Sequence, residues 1–128
     1  MDSYGLSWRR SGNCAATLEK IREVGIENFE SFYTALKYFF LDLDGHLFNE
    51  PVNFKAHGLF DYPSIVKYPM DFSTIKKKLS LNAYEGEAEF QGDMNLVFDN
   101  CILYHGTDRD LGKIALQMKT EFNAMFIK

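Results

Sequence analysis

An all-α bundle is the fold this sequence predicts, and three features predict it. Four segments place apolar residues at helical i, i+3, i+4 spacing. The links joining the last three segments have lengths typical of antiparallel neighbours. All three prolines, Pro51, Pro63 and Pro69, fall in one long link between the first and second segments. A helix with a single apolar stripe has to bury it against another helix, so four such helices imply a bundle around one core.

The first helix carries Phe29, Phe32, Tyr33, Leu36, Phe39, Phe40 and Leu43 on one face, and Asp44-Gly45 reads as its stop. The second is short. Asp71 is its expected N-cap after Pro69, and Phe72, Ile75 and Leu79 form its stripe. Lys76, Lys77 and Lys78 lie toward its C-terminal end, where cations complement the helix dipole. The third helix is expected to begin near Gly86, with Glu89 three residues on as in a capping box. Its apolar positions are Phe90, Met94, Val97, Phe98, Cys101 and Tyr104. The fourth is expected to start after Thr107 or Asp108 and carries Leu111, Ile114, Ala115, Met118, Phe122, Met125 and Phe126.

The long link, from about Gly45 to Met70, is rich in apolar residues: Phe48, Val52, Phe54, Leu59, Phe60, Tyr62, Ile65 and Val66. Links of this length in compact domains are usually functional or disordered, and this one is too apolar to be disordered. It is expected to pack on the bundle, with a turn of helix near Tyr62 to Val66, and to wall a pocket. Residues 1–27 read as a polar extension, in which Ala15 to Val24 has helical character, and residues 28–128 as the domain.

Charge and composition narrow the function. The chain has 128 residues and a net charge of −4, which disfavours broad coating of nucleic acid and suits a Lys/Arg-rich partner. Cys14 and Cys101 make neither a disulfide framework nor a zinc site, so a reducing, intracellular setting is expected. No apolar run approaches a membrane span, and Met1 to Arg10 shows no secretory signal.

One ordered set of residues carries a family likeness. Phe48-x-x-Pro51-Val52 is followed by Asp61-Tyr62-Pro63-x-Ile65-Val66-Lys67-x-Pro69-Met70-Asp71-Phe72-Ser73-Thr74-Ile75. Then come Tyr84, Glu89-Phe90, Asp93 and Phe98-x-Asn100-Cys101-x-x-Tyr104. From Phe48 to Phe126 the chain resembles the bromodomains at about the right spacing throughout. The resemblance implies a left-handed four-helix bundle with an acetyl-lysine pocket between the long first loop and the loop joining the last two helices. It implies Phe48, Val52 and Leu59 on the loop side, Tyr62 holding an ordered water, Cys101 and Tyr104 on the helix side, and Leu111 at the mouth. Such a module is non-enzymatic and needs no cofactor. Its implied partner is an acetylated histone or other acetylated protein tail in the nucleus, with monomer the default state. The chemistry agrees: acetylation removes the lysine charge and leaves an amide on an apolar stem, which suits a narrow apolar pocket with one or two fixed polar groups.

The chain departs from the family at His105, where an asparagine usually donates to the acetyl carbonyl. A neutral imidazole still offers one N–H, but on a larger ring. A misplaced donor leaves the ligand carbonyl unsatisfied at a cost of about 1–3 kcal/mol, roughly 5- to 150-fold in affinity. Two outcomes stay open: re-tuned acetyl-lysine binding, or a degenerate pocket in a domain kept for other protein contacts.

Blander readings stand beside these. Cys101 and His105, four residues apart, lack further metal ligands nearby, since His46 and His57 lie in the long link, and no group orients them as a nucleophile pair. The lysine run reads as a solvated helix end, with incidental DNA contact the alternative. Asp61, Asp108, Asp110 and Glu50 read either as an acidic rim around the mouth or as plain solvated surface, and His57 is expected near the pocket edge.

Overall fold

The computed structural model describes residues 29–41 and 45–125. The N-terminal extension, Cys14, Leu43, Asp44 and Phe126 therefore lie outside the described residues, as does the side chain of Phe29. Every described element is helical. The chain runs α1 (Phe29–Leu41), a 3-10 turn (Gly45–Phe48), a one-turn α2 (Tyr62–Ile65), α3 (Phe72–Ser80), α4 (Glu87–His105) and α5 (Asp110–Ala124). The four longer helices form the bundle, and α2 lies in the long link where a turn was expected.

The stripes meet in an aromatic core. Phe32, Leu36 and Phe39 of α1, Phe72, Ile75 and Leu79 of α3, Phe90, Met94, Val97 and Phe98 of α4, and Ala115, Met118 and Phe122 of α5 are all buried. Phe98 is the hub. Its ring centroid lies 5.9 Å from Phe39, 6.1 Å from Phe48, 6.0 Å from Phe72 and 6.4 Å from Phe122, mostly edge to face. Such pairs add to the burial energy of each ring. Phe48 belongs to the 3-10 turn, so the hub also fixes where the long link leaves the bundle.

Polar contacts set the ends and the register. Asp71 caps α3 through both carboxylate oxygens, accepting from the Thr74 amide at 3.0 Å and its hydroxyl at 2.6 Å. Asn49 ties three elements: its amide donates to the Phe40 carbonyl at 3.0 Å, and its own carbonyl accepts from the Ser73 amide at 2.9 Å and from the Ser73 hydroxyl. Between α4 and α5, Asn95 and Asn123 exchange side-chain hydrogen bonds of 3.1 and 2.8 Å, and Gln91 donates to Asn123 at 2.9 Å. Lys78 reaches Asp93 at 2.6 Å and lies over the Tyr84 ring, while Lys76 lies over Phe40. Two of the three lysines in the run are thus engaged inside the fold.

Two helix starts carry details that the sequence did not show. Gly86 does cap α4, but no side-chain cap bond forms there, so the capping box with Glu89 is not made. Helix α5 starts at Asp110, after Thr107 and Asp108 as expected, with Arg109 as its N-cap. The preceding turn explains that position. Gly106 ends α4 with φ +79°, and its carbonyl turns onto the backbone of Gly112, so the chain needs Thr107 to Arg109 to come round.

Candidate functional site

The long link folds back over the joined ends of α4 and α5 and leaves a cleft of about 490 Å³ between them. Three attachments position the link. The Asn100 side chain, 7% exposed, donates to the Tyr68 carbonyl at 2.8 Å. The Tyr104 hydroxyl donates to Asp61 at 2.5 Å. Val66, just past α2, is fully inside at 1% exposure. A ladder of rings runs alongside: Phe54 stacks on Tyr62 at 6.3 Å, Tyr62 meets Tyr104 at 5.0 Å, and Tyr104 meets the His105 imidazole edge-on at 5.0 Å.

Seven of the eight residues expected at the site line this one cleft. Phe48, Val52, Leu59 and Tyr62 come from the link, and Cys101, His105 and Leu111 from the two helices. Phe48 and Tyr62 are buried walls, Val52 is exposed, and Leu111 is half-buried. Tyr104 is not among the lining residues; its hydroxyl is turned to Asp61 and its ring packs against those of Tyr62 and His105, which do line the cleft. Residues not foreseen as lining include Leu47, Asn53, Met70, Val97 and Asn100. Met70 and Asn100 were visible in the sequence pattern, but nothing there told a pocket wall from core.

The acidic rim is only partly assembled. Glu50 lines the cleft, and so does His57, on the link side. Asp61 is taken up by Tyr104, and Asp108 and Asp110 are exposed without lining it.

Burial decides the protonation states. His105 is held below the usual 6.5, first by desolvation and then by Arg109 nearby. The imidazole is therefore neutral at pH 7, offering one donor and one acceptor nitrogen. Burial, with a smaller effect of Cys101, raises the Tyr62 phenol, which stays a donor. Burial also pushes the Cys101 thiol up to about 11. Its sulfur donates to the Leu111 carbonyl at 3.4 Å. A protonated thiol is neither a nucleophile nor a good metal ligand. Among the described residues, no three His, Cys, Asp or Glu side chains cluster as a metal site, and no helix is long and apolar enough to cross a membrane. The arrangement can grip a small, mostly apolar group bearing one or two hydrogen-bonding atoms.

Comparison with known proteins gives this geometry a family. The family model for the bromodomain matches residues 32–117, 86 of the chain's 128 residues. The SWR1 complex bromodomain subunit bdf1 of Schizosaccharomyces pombe is 44% identical over 75 residues, 59% of this chain and 13% of that protein. Bromodomain-containing protein C631.02 of the same yeast is 39% identical over 75 residues, 59% of this chain and 10% of that protein. Transcription factor GTE5, chloroplastic, of Arabidopsis thaliana is 44% identical over 69 residues, 54% of this chain and 14% of that protein. The chain thus matches only a small part of each of these much longer relatives. The helix order, the folded-back link and the matched stretch agree, and the chain belongs to the bromodomain family, whose members are non-catalytic readers of acetylated lysine.

Proposed function

We propose that the cleft binds an acetylated lysine with His105 as donor to the acetyl carbonyl, and that the natural ligand is an acetylated histone tail. The observation that carries this reading is a mostly apolar cleft that His105, kept from protonating by its partial burial and by Arg109, lines together with Phe48, Leu59, Tyr62 and Leu111. Phe48, Val52, Leu59 and Leu111 provide walls for the methyl and the stem, and the Tyr62 hydroxyl stands ready to hold a water against the same carbonyl. Tyr104 acts here as a positioning residue that keeps the imidazole edge-on. Glu50 at the cleft and the net charge of −4 favour the Lys/Arg-rich side chains of a histone tail. Lys77, exposed at the end of α3, is the member of the lysine run best placed for incidental DNA contact.

In this reading the domain recruits a longer parent protein or complex to acetylated chromatin in the nucleus, for transcription regulation. Two relatives carry names in keeping with it, a subunit of the SWR1 complex and a transcription factor. The second is also called chloroplastic, so the nuclear assignment rests on the ligand rather than on kinship.

Binding of the domain and its His105→Asn variant to an acetylated histone-peptide array tests the reading. Specific binding by the wild type supports it. Binding by the variant alone means an intact cleft disabled by His105, in a domain that serves other protein contacts. Binding by neither rejects acetyl-lysine recognition for this chain.

A further inference from the structure

The turn that joins α4 to α5 contains a backbone contact with no room for a side chain. Gly106 leaves α4 with φ +79°, a conformation that favours glycine, while its amide still donates to the Ile102 carbonyl at 2.8 Å. Its own carbonyl is driven against Gly112 in the first turn of α5. A methyl group placed on Gly112 would lie 1.6 Å from the Gly106 oxygen, 2.7 Å from its carbonyl carbon and 3.4 Å from the Thr107 α-carbon. These are backbone atoms, which no rotamer change can move aside. Gly92, in the middle of α4, shows the contrast: a methyl there meets nothing within 4 Å.

The neighbours of this glycine pair are the site. His105 precedes Gly106 and Leu111 precedes Gly112, and both side chains line the cleft, one from each helix. The Cys101 thiol donates to the Leu111 carbonyl on the same seam. Having no side chain at 112 lets the two backbones touch, at the seam from which His105 and Leu111 reach the cleft. We propose that the Gly106–Gly112 contact sets the width of the cleft between His105 and Leu111, and thereby restricts it to short acyl groups on lysine. The inference rests on the acyl-lysine reading above and adds to it a determinant of acyl length.

Gly112→Ala has to push the 106–109 turn and the start of α5 apart, widening the cleft. The experiment measures affinities for one histone peptide carrying acetyl-lysine or butyryl-lysine, using wild type, Gly112→Ala and Gly92→Ala, with helicity and thermal unfolding recorded for each. Wild type should prefer the acetyl peptide. In Gly112→Ala the acetyl affinity should fall by about tenfold while butyryl affinity falls by less than about threefold, so that the preference narrows or reverses. Gly92→Ala should keep the wild-type ratio. If Gly112→Ala does not fold, a single glycine inserted after Thr107 loosens the same turn without a clash, and it must shift the ratio in the same direction. An unchanged ratio in the folded variant, or in the insertion if only that folds, overturns the role of the glycine pair while leaving acetyl-lysine binding intact. Wild type that binds neither peptide removes both.

Discussion

Asn100→Ala is the sharpest test of how the cleft is held open. Asn100 is 7% exposed and its side chain donates at 2.8 Å to the Tyr68 carbonyl, 32 residues away and immediately before Pro69. The substitution removes one net hydrogen bond, about 0.5–1.5 kcal/mol, and deprives the carbonyl of its protein partner. Leaving such a group dry costs about 1–3 kcal/mol, but the Tyr68 side chain is 75% exposed and water has a path to its backbone. The loss should therefore come to about 2 kcal/mol, near 8 °C in Tm for a domain of this size. Circular dichroism melts measure it, and limited proteolysis should show faster cutting between Asn53 and Tyr68. Asn100→Asp adds a test of sign. It keeps the shape but replaces the donor with a carboxylate facing a carbonyl, so it should be worse than alanine. An alanine variant within about 0.5 kcal/mol of wild type, with the link no more susceptible, would refute the idea that this bond anchors the link.

Removal of the α3 cap by Asp71→Ala should cost about 0.5–2 kcal/mol in chemical unfolding, whereas Asp71→Asn, which keeps an acceptor, should lose only part of that. Affinity for an acetylated peptide should decline on acidification. The folded His105 value lies below the ordinary 6.5, so the unfolded chain takes up the proton first, and the contribution to stability present above 6.5 is lost as pH falls through the folded value. A ligand that buries the ring further acts with the same sign. Calorimetry at about pH 5.5 and about pH 7.5 reads this, with His57→Ala to remove the second imidazole of the cleft. Glu50 and Arg109 are the charged neighbours whose influence the comparison carries. Tighter binding at the lower pH would make the imidazolium the donor instead.

The core was legible because its code is local. Phe98 falls at its place in a stripe whatever else the chain does, and so do Phe39, Phe72 and Phe122. The cap at Asp71 was legible for the same reason, since donor and acceptor are three residues apart. What escaped depends on distant partners. Tyr104 fits the α4 stripe and the family pattern equally well, yet its hydroxyl is claimed by Asp61, 43 residues earlier, and it is not among the residues lining the cleft. Asn100 is a polar residue beside Asp99 in the α4 sequence, and its use appears only once Tyr68 is brought to it. The cap of α5 escaped as well, because Thr107 and Asp108 are the better caps by side chain. Backbone packing at Gly106 and Gly112 overrode that preference and left Arg109, with no capping acceptor, in the position.

The amide cluster of Gln91, Asn95 and Asn123 has a mechanical consequence for the site. It lies toward the opposite end of the α4–α5 pair from the cleft, Asn123 being 11 residues, about 16 Å of helix, from Gly112. A slide of α5 along α4 by a single residue would break three hydrogen bonds at once, so axial travel between the helices is barred. Any lengthening or bulking of the connecting turn must then be relieved sideways. Drift in the sequence of that turn is converted into a change of cleft aperture, with the far end of the pair acting as a fixed pivot.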